Sequence, residues 1–117
     1  MPDEQIRIID DKISLTELKT IAEESFGDMV KVVVDIDKNF MALGGELHAD
    51  EEQILIANGS QQKNLWGINL YPDLTGDDFI EFDSMINIRP RQNNRSRGVE
   101  NEEIRKAIAT VVKKLVQ

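Results

Sequence analysis

Residues 79–97 have the sequence FIEFDSMINIRPRQNNRSR, in which apolar and polar side chains alternate before a run rich in arginine. Up to position 89, one alternate set holds four large apolar side chains and Ser84, while the other set is mainly polar. A period of two is typical of a strand with one face against a core. Pro90 ends the pattern because proline has no N–H for the ladder. We therefore predict a strand over residues 79–89 with one polar face.

The loop after this strand concentrates positive charge. Together with the end of the strand it holds four of the six arginines of the chain, and no acidic residue interrupts them before Glu100. Guanidinium groups make paired hydrogen bonds to carboxylate and phosphate. The cluster therefore indicates an anion-binding loop, formed by Arg89, Arg91, Arg95 and Arg97. The alternative is an ion-pair network in which these arginines neutralise the acidic residues between positions 73 and 83.

Four further segments have the pattern of strands. They cover residues 6–9, 29–36, 40–47 and 65–71. The second and fourth alternate apolar residues with more polar ones, as half-buried strands do. A tight turn at residues 37–39 joins the second segment to the third as a hairpin. Gly44 and Gly45 in the third indicate a bulge or a close backbone approach.

Three segments have the pattern of helices, at residues 15–26, at residues 50–58 and after residue 101. Ser14 and Glu17 form a capping box before the first. Asp50 is the predicted N-cap of the second, although the apolar run ending in Asn-Gly at residues 54–59 also fits a hairpin. Asn101 caps the third, which carries an apolar stripe at helical spacing.

The order of these elements predicts an α+β fold in a single domain over residues 1–117. It would be a mainly antiparallel sheet of four to five strands, with two or three helices packed on one face. The opposite face would be partly open to solvent and would carry the polar side chains. A chain of 117 residues is long enough for one core and too short for two typical domains.

Composition excludes several classes of function. The chain has no cysteine, which removes disulfides, thiol chemistry and cysteine-based zinc sites. His48 is the only histidine, which argues against zinc. Glu46, Asp83 and the acidic loop at residues 73–78 could offer oxygen ligands to Mg²⁺ or Ca²⁺, but that loop lacks the spacing of a calcium loop, so we predict no metal site. A formal charge of −8 makes nucleic acid an unlikely partner. No apolar run approaches membrane-spanning length and no signal-peptide pattern is present, so we expect a cytoplasmic protein without membrane contact.

Three segments together resemble a family of small bacterial proteins catalogued only as a domain of unknown function. They are GGELHAD at residues 44–50, LWGINLYP at residues 65–72 and SMINIRPRQNNRSRGVENEEIR at residues 84–105. The resemblance covers nearly the whole chain. It implies a bacterial source and a stand-alone domain, and it implies no activity, substrate or catalytic residue.

A candidate site follows from strand parity, because neighbouring strands would bring their polar sets onto one face. The candidate acid, base or metal-ligand side chains are Glu46, His48 and Asp83. The candidate ligand contacts are Asn69, Tyr71, Asn87, Arg89, Arg91, Arg95 and Arg97. A bulge at the two glycines would turn the first pair, Glu46 and His48, away from this face.

These residues favour a binding or regulatory domain that recognises an anionic small molecule or an acidic protein surface. One alternative is a small hydrolase-like enzyme that uses His48, Glu46 and Asp83 on the polar sheet face. Another is a homodimer formed through the polar face or an edge strand. Neither the identity of the ligand nor a cofactor follows from the sequence.

Overall fold

An open antiparallel sheet of five strands forms the centre of the structure, a computed structural model that describes residues 5–117. The strands are β1 (Arg7–Ile9), β2 (Val30–Asp35), β3 (Phe40–Leu43), β4 (Leu65–Leu70) and β5 (Ile80–Glu81). Their order across the sheet is β1-β3-β2-β4-β5, and every neighbouring pair is antiparallel. The predicted fold class is therefore confirmed.

Three helices complete the domain, and their caps explain where they begin. They are α1 (Leu15–Glu24), α2 (His48–Ala57) and α3 (Glu102–Leu115). Ser14 Oγ accepts the Glu17 N–H at 3.0 Å, and Asn101 Oδ1 accepts the Glu103 N–H at 2.8 Å, so both predicted caps are confirmed. The helical alternative for residues 50–58 is also confirmed.

The predicted cap of α2 is wrong. The N-cap is Leu47, three residues before Asp50, and its carbonyl accepts the N–H groups of Asp50 and Glu51. The helix begins early because Gly44, at φ +95°, ends β3 and turns the chain toward the sheet face. The Glu51 side chain then folds back and accepts the Gly45 N–H at 2.9 Å.

The main core lies between one sheet face and helices α1 and α3. It joins alternate residues of the three inner strands, β2, β3 and β4, to the apolar stripes of both helices, including Leu18 and Ile108. Helix α2 covers the other face, where Leu55 packs with Val33, Ala42 and Leu65. The expectation of a partly open second face is therefore wrong over this region, because α2 shields it.

The predicted strand at residues 79–89 is also wrong beyond its first residues. β5 ends at Glu81, and two single helical turns follow at Met85–Asn87 and Pro90–Gln92. The Asn87 side chain takes the place of a strand at the open edge of β4. Its Oδ1 accepts the Gly67 N–H at 2.8 Å and its Nδ2 donates to the Gly67 carbonyl at 2.9 Å. A side-chain amide therefore satisfies backbone groups that a ladder would otherwise satisfy.

A second asparagine closes the segment into what we call the Asn loop, residues 82–98. The buried Asn94 donates from Nδ2 to the carbonyls of Asn87 and Gly98, each at 2.8 Å. Its Oδ1 accepts the Glu100 N–H at 2.8 Å. The arginine-rich stretch is thus an ordered loop, held by amide side chains and packed on the edge of β4.

Candidate functional site

A cavity of about 490 Å³ lies between the start of α2, the β2–β4 face and the Asn loop. Five of the predicted site residues line it, namely His48, Asn69, Tyr71, Asp83 and Arg97. Lys31 and Glu81 add two further charged side chains. Its apolar lining comes from Met29, Leu47, Met85 and Ile86, with Ala49 and Ser84 completing the wall.

Glu81 organises the polar wall of the cavity. Its Oε1 accepts a hydrogen bond from Asn69 Nδ2 at 2.8 Å and another from the Tyr71 hydroxyl at 3.1 Å. Burial, together with this carboxylate, raises the pKa of Tyr71, so the hydroxyl remains a donor at neutral pH. Asn69 is only 5% exposed, and its Oδ1 has no hydrogen-bond partner among residues 5–117. A buried acceptor without a partner is unusual in a folded protein.

Two cations reach the cavity from different elements. Arg97 Nε donates to Asp83 Oδ1 at 2.7 Å, and both side chains are about half exposed. The two terminal guanidinium nitrogens of Arg97 make no hydrogen bond within the described part of the chain. Lys31 Nζ lies 5.1 Å from the ring centroid of Phe26 and forms no ion pair with any described residue.

His48 is a buried, neutral imidazole. It is 8% exposed, and burial lowers the pKa of its ring. Its Nε2 lies 2.8 Å from the Ile68 carbonyl oxygen, which can only accept, so Nε2 carries the proton. In the neutral ring Nδ1 then holds a free lone pair. This state suits a hydrogen-bond acceptor or a general base.

The N-terminus of α2 forms part of the same wall, through Leu47, His48 and Ala49. Leu47 has no side-chain atom that could cap the helix. The first-turn N–H groups of His48 and Ala49 therefore lack a capping side chain, and the helix dipole places partial positive charge here. Helix N-termini of this kind attract anions.

The other predicted site residues lie outside the cavity lining. Glu46 follows the turn at Gly44 and lines a separate surface depression with Phe26. Arg91 and Arg95 are exposed on the Asn loop. Sequence reasoning missed Lys31 and Glu81, although register offered a signal because both pair with Asn69 across the sheet.

The side chains of Asn87 and Arg89 form hydrogen bonds with backbone groups of the protein itself. The Asn87 amide is fully buried against Gly67. The Arg89 guanidinium stacks on Trp66, 4.2 Å from the ring centroid, and donates to the carbonyls of Leu65 and Gln62. Both therefore hold the Asn loop to β4, and their predicted contact with a ligand stays a prediction.

The structure thus defines a small α+β domain with an open antiparallel sheet and a cavity on one sheet face. The chain belongs to the family described as Protein of unknown function (DUF5674), whose profile matches residues 7–115. This confirms the resemblance found in the sequence. No curated protein and no solved structure matches the chain significantly.

Two further observations concern residues 5–117. No group of three or more His, Asp or Glu side chains in this range is placed to hold a metal ion. None of the helices in the described part combines the length and the apolar character needed to cross a bilayer.

Proposed function

We propose that this protein is a binding domain that takes a small anionic molecule into the cavity between α2, β4 and the Asn loop. The observation that carries the proposal is the meeting of three positive features at one opening. These are the uncapped N-terminus of α2, the unpaired Lys31 and the free guanidinium nitrogens of Arg97. Convergent donors of this kind are how proteins recognise carboxylate and phosphate groups.

The two cavity carboxylates do not oppose this function, because each already has partners. Asp83 pairs with Arg97, and Glu81 accepts from Asn69 and Tyr71. The donors that remain available are therefore those of Lys31, Arg97 and the helix. The overall charge of −8 would repel anions at long range, so selectivity must come from these local donors.

A thermal-shift experiment with matched variants tests the proposal. The protein is melted with acetate, citrate, inorganic phosphate and AMP, and then again as Arg97→Gln and Lys31→Gln. An anion at 100 times its Kd adds about 2.7 kcal/mol to the stability of the native state, which raises Tm by several degrees. Loss of one charged hydrogen bond removes about 1.5–3 kcal/mol of binding, roughly a tenfold or greater weakening.

Arg91→Gln is the matched control, since Arg91 is an exposed arginine of the same loop outside the cavity lining. It should leave every shift unchanged. The proposal fails when no anion raises Tm in the wild-type protein, or when Arg91→Gln weakens binding as much as Arg97→Gln does.

A second candidate function is a hydrolase-like reaction, and the neutral state of His48 favours it. An imidazole with a free Nδ1 lone pair, in a cavity that Tyr71 and Asp83 also line, has the parts of a general base site. Glu46 would have no part in it. Turnover of p-nitrophenyl esters or phosphates that is lost in His48→Gln, with Tm unchanged, would support this function, and inactivity of the wild-type protein would refute it for these substrates.

A further inference from the structure

We infer that the ligand of this cavity is a monocarboxylate with an apolar body, a step that rests on the proposed function. The cavity lining combines donors with apolar side chains. The donors come from the start of α2, from Lys31 on β2 and from Arg97 on the Asn loop, and Met29, Leu47, Met85 and Ile86 supply an apolar surface. Leu47 is 55% and Met85 65% exposed, which is high for side chains of this type.

The exposure of these two residues is best explained by a ligand that covers them. Apolar area that is removed from water on binding contributes affinity in proportion to its size. Methionine adapts its shape to different apolar groups, and two of the four apolar lining residues are methionines. A volume of about 490 Å³ also lies in the range of small-molecule sites, which is about 300–1,000 Å³.

The charge balance of the lining favours a monoanion over a dianion. Lys31 and Arg97 contribute two positive charges, and Glu81 and Asp83 contribute two negative charges. His48 is neutral because burial lowers its pKa. Because these charges balance, the lining as a whole neither attracts nor repels an anion strongly, whereas the cost of removing the ligand's own charge from water rises steeply with that charge. A carboxylate therefore loses less on entering the cavity than a phosphate dianion does.

The test is a series of carboxylates of increasing chain length, whose binding is monitored by NMR titration of the ¹⁵N-labelled protein. The probes are acetate, butanoate, hexanoate and octanoate, with hexan-1-ol as the neutral control and hexyl phosphate as the dianionic one. We expect roughly two- to fourfold tighter binding for each added methylene group, until the apolar wall is covered. Shifts of the Lys31, Ala49 and Asn69 amides should report the binding. Hexan-1-ol and hexyl phosphate should bind more weakly than hexanoate.

Two variants separate the apolar wall from anion recognition. Met85→Ser and Leu47→Ala should flatten the chain-length dependence and leave acetate binding unchanged, because both remove apolar surface and alanine adds no hydroxyl that could cap α2. Leu74→Ser is the control, because Leu74 is a similarly exposed side chain outside this cavity. It should keep the full dependence.

Each other outcome is decisive. Equal affinity for acetate and octanoate, with shifts at the cavity amides, would refute the apolar body and leave the proposed function standing. Tighter binding of hexyl phosphate than of hexanoate would refute only the preference for a monocarboxylate, and the apolar body would stand. An absence of shifts with every anion, or equal binding of hexan-1-ol and hexanoate, would refute the proposed function as well.

Discussion

Removal of the Asn87 side chain should destabilise the protein far more than its loop position suggests. The amide is fully buried and makes three hydrogen bonds, two to Gly67 and one from Nδ2 to the Arg97 carbonyl at 2.9 Å. Asn87→Ala leaves the Gly67 N–H and carbonyl without a partner at a buried position. Each unsatisfied buried group costs about 1–3 kcal/mol, so we expect a loss of about 2–6 kcal/mol.

Such a loss is large for a domain of this size, since total stability is typically about 5–15 kcal/mol. The assay is chemical unfolding in urea, together with hydrogen exchange at the Gly67 amide. That amide should lose its protection in Asn87→Ala, because its acceptor is gone. The N–H groups of β4 that pair with β2 should exchange only as fast as the lower global stability requires.

The matched control is Asn58→Ala. Asn58 Nδ2 donates one exposed hydrogen bond to the Ile54 carbonyl at the end of α2, so its removal should cost about 1 kcal/mol or less. Our account of Asn87 would be refuted by a loss below about 1 kcal/mol, equal to that of the control. Continued protection of the Gly67 amide in Asn87→Ala would refute it equally.

Two further predictions concern buried charge. Burial raises the pKa of Glu51 well above its usual value, so the folded state holds a proton that the unfolded state releases, and stability falls as pH rises above about 4.5. Glu51→Gln should remove this slope, which is at most about 1.4 kcal/mol per pH unit, as measured by urea unfolding at a series of pH values above 4.5. Arg89→Lys should cost about 1–3 kcal/mol and change Trp66 fluorescence, because lysine cannot both stack on the indole and donate to two carbonyls.

A specific result would contradict each of these two predictions. Equal pH slopes in the wild-type protein and Glu51→Gln would show that Glu51 ionises inside the fold. An Arg89→Lys variant with native stability and native fluorescence would show that the stacked geometry is not needed to hold the Asn loop.

The periodic parts of the chain were predictable because local patterns determine them. The capping contacts at Ser14 and Asn101 have neighbours in sequence as partners, and the valine alternation of β2 is itself a local pattern. The start of α2 was not predictable, because Asp50 is a good N-cap by composition and only the turn at Gly44 brings the helix forward.

The prediction of a strand at residues 79–89 failed for a related reason. Their alternation fits a strand, but it carries no information about which backbone groups will be paired. The partner of the β4 edge is one amide at Asn87, and the chain must leave the strand to present it. A hydrogen bond of this kind joins positions 20 residues apart, beyond the reach of any periodic pattern.

The sequence predicted only part of the candidate site. The residues that were predicted correctly and those that were not differ in how local their placement is. Asn69 lies near the end of β4 and Tyr71 directly after it on the same parity, so both reach the cavity as predicted. Glu46 and His48 were predicted on the same face by strand parity, yet the chain is helical from His48 onward and only the histidine enters the cavity. The lining of the cavity by Arg97 depends on the path of the Asn loop, which no local rule supplies.

The arginines of the cluster have different roles in the fold. Arg89 holds the loop to β4 through Trp66 and two carbonyls, whereas Arg97 borders the cavity. The two arginines are linked through Asn87. Its side-chain amide donates hydrogen bonds to the Gly67 carbonyl at the edge of β4 and to the Arg97 carbonyl. Loop stability and ligand affinity should therefore both fall when Asn87 is altered. When Arg97 is altered, ligand affinity should fall with little loss of stability, because the fold itself loses only an exposed ion pair.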